Sequence, residues 1–158
     1  MTRIRPCLWF DGQAEEAAAF YVSVIPDSAI THRKIGPTDW PGGKAGEVLL
    51  MEFTLGGQPC QALNGGPFTQ FNEAVSLSVR CKDQAETDRV WSGLLEGGGE
   101  EMQCGWLKDR YGLRWQVVPA EFEDMMRDDD PARAQRVMDA MVEMVKLDVA
   151  ALRAAYEG

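Results

Sequence analysis

Histidine is almost absent from this chain: His32 is the only one in 158 residues. That excludes a zinc site built from several histidines and an H-E-x-x-H helix. Lying in a polar stretch, His32 reads as a loop residue rather than a base. Cysteine is sparse, and Cys7, Cys60, Cys81 and Cys104 contain no C-x-x-C pair. They lie in or beside strand-like segments, where a free thiol behaves as a small apolar group. A reduced, cytoplasmic protein follows. No apolar run approaches the roughly 20 residues of a membrane span. The opening MTRIRPCLWF enters strand-like sequence at once, which predicts no secretory signal. Positive charge is also short. Sixteen Lys and Arg face 25 Asp and Glu, a net charge of −9. That argues against nucleic acid and against an anionic membrane surface.

What is present is an ordinary globular composition, 45% apolar. A chain of this length buries about 70% of its unfolded surface and needs no disulfide or zinc to fold. Residues 3–10 read as a strand and Asp11-Gly12 as a turn. AEEAAAFYVSVI then reads as a helix with Ala17, Phe20, Tyr21 and Val24 on one face. A second strand is expected at 29–35, a mobile loop at 36–46, and strands at 47–55 and 58–63 around Gly56-Gly57. In the 47–55 strand, Leu49, Met51, Phe53 and Leu55 share one face, and Val48, Leu50, Glu52 and Thr54 the other.

The pattern then begins again. VSLSVRC alternates at 75–81, and Asp83 with Glu86 forms a capping box for a helix whose stripe is Val90, Trp91, Leu94 and Leu95. EEMQCGWL, a turn at 109–112 and LRWQVVP read as strand, turn and strand. Gln13-Ala14-Glu15 recurs as Gln84-Ala85-Glu86, and Gly57…Gln61 recurs as Gly112…Gln116. Two strand–helix–strands modules are therefore expected. Beyond 119 the chain reads as helical: an acidic helix over 119–127, a second entered through Asp130-Pro131, and a last one reaching Tyr156. Val137, Met138, Met141, Val142 and Val145 form its amphipathic stripe.

Four stretches, LWFDGQAEEAAAFYVSVIP, EVLLMEFTLGGQPCQALNGG, VSLSVRCKDQAETDRVW and LKDRYGLRWQVVP, resemble the PhnB-like (demethylubiquinone methyltransferase-like) family. That family lies in the vicinal oxygen chelate superfamily, with glyoxalase I, extradiol dioxygenases and bleomycin-resistance proteins. The resemblance implies an α+β fold of two βαβββ modules, about 3–66 and 74–119, whose curved mixed sheet surrounds a cavity. The domain would span 1–119, with a C-terminal helical extension over 120–158. It also implies pairing of two chains as a homodimer.

In metal-using relatives four residues, mostly His and Glu, hold a divalent ion. By motif those positions fall near Pro6, Gln61, Ser76 and Gln116. Such a set lacks imidazole and carboxylate and is not expected to hold Zn, Ni or Fe tightly. No strand leads through a glycine-rich loop into a helix, so no nucleotide-like cofactor is expected and the methyltransferase label does not follow from the residues.

Strand parity groups further candidates with the two glutamines. Arg114 goes with Gln116, and Ser78 and Arg80 with Ser76. The ligand-binding set is then Gln61, Gln116, Arg80, Arg114, Ser76 and, in the 36–46 loop, Trp40 as a closing residue. Arg80 and Arg114 offer forks for a carboxylate or phosphate, or pair with Glu52 and Asp109. Glu52 reads either as a base or as a structural ion-pair partner. Trp9, Trp91 and Trp115 are expected in the core. The expected function is binding of a small molecule, with an anionic one left open, in the cavity without a tightly held metal. The alternative is a metal-dependent glyoxalase- or dioxygenase-like enzyme, and turnover is left open between them.

Overall fold

The computed structural model describes residues 4–158. It divides into two compact units between Phe71 and Asn72. Each has the βαβββ order that the family resemblance implies. The first comprises β1 (Cys7–Phe10), α1 (Ala14–Val24), β2 (Ala29–Ile35), β3 (Val48–Leu55) and β4 (Gln58–Asn64). The second comprises β5 (Ser76–Cys81), α2 (Gln84–Leu95), β6 (Glu100–Glu101), β7 (Trp106–Lys108) and β8 (Arg114–Pro119), followed by α3 (Ala120–Met126), α4 (Pro131–Val142) and α5 (Val149–Glu157). The sheets are two separate four-stranded mixed sheets of matching order, β1-β4-β3-β2 and β5-β8-β7-β6. In each, the first strand runs parallel to the fourth and the other neighbours are antiparallel. Arg3, where the first strand and module were expected to begin, lies outside the described residues.

One helix covers one face of each sheet. In the first unit Ala14, Ala17, Ala18 and Tyr21 of α1 are fully buried, and the small side chains of the three alanines let the helix lie close to the sheet, whose buried residues include Met51, Phe53, Cys60 and Ala62. Asn64 is buried with them. Its Oδ1 accepts from the Ala14 N–H at 2.9 Å and its Nδ2 donates to the Val48 carbonyl at 2.9 Å, so one side chain ties helix start, β3 and β4 together. In the second unit Val90, Trp91 and Leu94 of α2 meet Leu107, Trp115 and Val117. Asp83 caps α2 through the Glu86 N–H at 2.8 Å, as the capping box predicts.

Three expectations need correction. EEMQCGWL is not one strand: Cys104 and Gly105 take φ of 62° and 80°, turning the chain back between β6 and β7. His32 lies within β2 rather than in a loop. Trp9 is half-buried and on the face away from α1, because its register partner is Leu63.

The C-terminal helices form their own cluster around Met125, Val137, Leu147 and Leu152. The amphipathic stripe expected there splits, since Val137 is buried while Met138 and Val142 are exposed. Residues 144–149 fasten the helices to the rest of the unit. Met144 and Val145 carbonyls accept from the Cys104 and Gly105 N–H groups at 2.8 and 2.7 Å, and Gln84 Oε1 accepts from the Val149 N–H at 2.8 Å. The Lys146–Asp88 ion pair adds to this, and Arg153–Glu121 joins α5 to α3, both at 2.6 Å.

Both carboxyls are held below their ordinary values, chiefly by hydrogen bonds from Lys146 to Asp88 and from Arg153 to Glu121. A carboxyl lowered by folding stabilises the fold above its unfolded value, and that contribution is lost as pH falls through the folded value. Protection of the α5 amides, taken relative to their intrinsic exchange rate at each pH, should therefore fall as pH drops through the acid end of the carboxylate range. Asp88→Asn and Glu121→Gln should flatten that dependence.

Asp109 supplies a second test. It is buried, with Oδ1 accepting from the Tyr111 and Leu113 N–H groups at 2.8 and 3.1 Å and Oδ2 from Trp115 Nε1 at 2.8 Å. Asp109→Ala strands three donors and should cost about 3 kcal/mol in urea unfolding.

Candidate functional site

With one face of each sheet under a helix, the alternation of strand residues sends a defined set to the opposite face. In the first unit, register places His32 beside Glu52, Glu52 beside Gln61, and Gln61 beside Cys7, one residue from each strand in a single row. Leu50, Leu63 and Trp9 flank this row on the same face. Glu52 Oε1 accepts from Gln61 Nε2 at 3.1 Å and pairs with Arg5 Nη1 at 2.9 Å. Gln61 is thus directed by a carboxylate that is itself directed by a guanidinium. The Arg5 contact gives Glu52 the ion-pair role weighed from the sequence.

Pro6 sits one residue before the position opposite Gln61, so Cys7 rather than Pro6 occupies that place. Pro6 contributes only its carbonyl, accepting from the Gln61 N–H at 2.9 Å. Cys7 is exposed, and partial burial of its thiol raises its pKa, which disfavours the thiolate. Burial pushes Cys81, on the helix side of the other sheet, up to about 11.

In the second unit Gln116 lies beside Ser78 and Trp106, and its Nε2 donates to Ser76 Oγ at 3.0 Å. Trp106 therefore stands where the first unit has Glu52. Arg114, one step along the same face, donates from Nη2 to Glu73 at 3.0 Å and from Nη1 to the Gly112 carbonyl at 2.7 Å. Arg80 is more exposed and turns to Glu123 of α3 at 3.0 Å. The expected partners of these arginines are otherwise occupied: Asp109 is buried against Trp115, and Glu52 is held by Arg5.

Trp40 is anchored. Its Nε1 donates to the Asn64 carbonyl at 2.7 Å, and its ring lies against Gly36 and Gly43, where any Cβ would collide with it. The glycines expected to make a mobile loop instead make a cradle for the indole. A cleft of about 360 Å³ in the second unit contains none of the expected residues. Of its charges, Glu121 pairs with Arg153, and Asp83 and Asp148 cap helices.

The four positions associated with a divalent ion carry one proline, one serine and two amides. Both amides donate hydrogen bonds inside their own units. Among the described residues no group of three or more His, Cys, Asp or Glu is placed to hold a metal. A set with neither imidazole nor carboxylate does not fit Zn, Ni or Fe.

Arg5 and Glu52 are both partly exposed. Exposed ion pairs contribute little to stability. Arg5→Met and Glu52→Gln should each change unfolding free energy by less than about 1 kcal/mol. A loss of several would make this bridge a structural element instead of a site.

The family model for 3-demethylubiquinone-9 3-methyltransferase matches residues 2–118. The PhnB protein from Bacillus cereus, which carries the 3-demethylubiquinone-9 3-methyltransferase name, is 33% identical over 75% of this chain and 100% of its own, with a TM-score of 0.68. Protein PA1353 from Pseudomonas aeruginosa is 21% identical over 75% of this chain and 98% of its own, with a TM-score of 0.62, and shares the fold. A glyoxylase/bleomycin resistance protein/dioxygenase domain from Frankia sp. EAN1pec matches at 14% identity over 73% and 94% of the two chains, with a TM-score of 0.46. No curated protein is matched. With the family model covering most of its length and a third of its aligned residues shared with the Bacillus cereus protein, this chain belongs to the PhnB-like, 3-demethylubiquinone-9 3-methyltransferase family.

Proposed function

We propose that the protein binds a small molecule on the helix-free faces of its sheets, without a tightly held transition metal and without methyl transfer. The observation that carries this reading is the arrangement at Glu52. One carboxylate oxygen takes both Arg5 and Gln61, leaving the other for a donor on a ligand, between the apolar Leu50, Leu63 and Trp9. Apolar surface with a few directed polar groups is the usual makeup of a small-molecule site. In the second unit Gln116, Ser76 and Trp106 supply the same mixture.

Methyl transfer from a nucleoside-bearing cofactor calls for a strand that leads through a glycine-rich loop into a helix N-terminus. Among the described residues the strand-to-helix links are Asp11-Gly12-Gln13, Lys82-Asp83 and the direct junction of β8 with α3, all too short for such a cradle. The family's name therefore describes a relationship, not a reaction for which these residues are equipped. Pairing of two copies belongs to the same reading, and sedimentation at equilibrium should give twice the chain mass.

Native mass spectrometry and elemental analysis of the purified protein test the binding reading together. The expected result is a retained small organic mass, lost in Gln61→Leu and Gln116→Leu, with Zn, Ni and Fe far below one equivalent. Stoichiometric metal that disappears in the same variants would overturn it.

A further inference from the structure

The helix-free face of the second unit holds a second row, one step from Gln116. Register lines up Glu100 on β6, Lys108 on β7, Arg114 on β8 and Ser76 on β5. Two cations therefore stand directly opposite each other on neighbouring strands. Like charges so placed repel and destabilise a sheet. The chain is acidic overall, with a net charge of −9, so carboxylates are available to separate them. Those it uses are peripheral. The Arg114 side chain is 13% exposed while its partner Glu73 is 74% exposed, and Lys108 is 28% exposed against 67% for Glu100. The cations are covered and the counter-ions are in water. A carboxylate so exposed gains little from its ion pair, because solvent and salt screen it. An incoming anion can replace it at small cost.

Arg114 is also held in place. Nη1 donates to the Gly112 carbonyl, and Nε is buried with no acceptor. Its fork is fixed by the protein, and only the end toward Glu73 is exchangeable. Ser76, hydrogen-bonded to Gln116, borders the row on the β5 side.

We propose that Lys108 and Arg114 form an oxyanion subsite, taking the carboxylate or phosphate group of a small molecule in exchange for Glu73 and Glu100. Guanidinium presents a planar pair of donors to two oxygens, and the ammonium adds a mobile point charge. This deepens the small-molecule reading above and rests on that face being the binding face.

The test is a titration of the whole protein with inorganic phosphate and, separately, with succinate, against sodium chloride at matched ionic strength. The readout is the arginine Nε–Hε signals in a nitrogen–proton correlation spectrum, with Arg114 assigned by its loss in Arg114→Lys. A saturable shift of the Arg114 signal is expected with phosphate or succinate and not with chloride. Whichever anion acts identifies the group. Lys108→Met should weaken binding roughly tenfold. Glu73→Gln and Glu100→Gln, which alter exposed residues and leave the fold intact, should tighten it several-fold by removing the competing counter-ion. An equal response to chloride, indifference to Lys108→Met, or weaker binding in Glu73→Gln would overturn the subsite. If neither oxyanion binds while a retained molecule is still released by Gln61→Leu, the subsite fails and the broader reading stands. If oxyanions bind in this pattern and no molecule is retained, the subsite stands and the broader reading loses its support.

Discussion

One constraint governs both units: the parallel pairing of first and fourth strand under a single helix. The helix covers one face of its sheet, so in the strands beneath it, β3 and β4 in the first unit and β8 in the second, alternate residues are committed to packing and the rest are released from it. In the first unit Cys60, Ala62 and Asn64 go under α1, and Gln61 and Leu63 do not. In the second, Trp115 and Val117 go under α2, and Arg114 and Gln116 do not. A one-residue slip would exchange these sets and put glutamine against the helix. Asn64 helps prevent that slip in the first unit. Its two hydrogen bonds are satisfied only when β4 ends level with the start of α1.

The two units keep this frame and fill it differently. Gln61 and Gln116 occupy equivalent places, yet one faces a carboxylate across the strand pair and the other an indole. The amide of Gln61 is oriented by charge, through Arg5 and Glu52, while that of Gln116 is oriented by a hydroxyl. Cations are distributed just as unevenly, with Lys108 and Arg114 neighbours in one sheet and Arg5 committed to Glu52 in the other. A repeat that preserves backbone and loses side-chain likeness is what a shared scaffold with separately adapted faces produces.

Much of this was legible in the sequence because it rests on short-range chemistry. Strand parity separated Glu52 from Met51 and Gln116 from Trp115. The capping box over Asp83–Glu86 and the Asp130-Pro131 helix start were readable for the same reason: both signals lie within four residues. What was not legible depends on longer reach. Trp40 was expected to swing, but its indole bonds the Asn64 carbonyl 24 residues away. Trp9 was expected under the helix, but pairing with Leu63 puts it on the other face. Asp109 was expected in a turn, as found, with nothing to signal that Trp115 would bury it.

The sequence by itself determined the duplication, the helices, the two faces of β3, β4, β5 and β8 and the lack of imidazole and carboxylate at the expected ion-holding positions, because alternation and composition are local properties. Tertiary structure decided which charges meet. Arg114 turned to Glu73, Arg80 to Glu123 and Arg5 to Glu52, and Lys108 came to lie opposite Arg114. Those meetings depend on strand register and on the positions of loops and helices brought in from elsewhere in the chain, and long charged side chains accept whichever partner that geometry brings within reach.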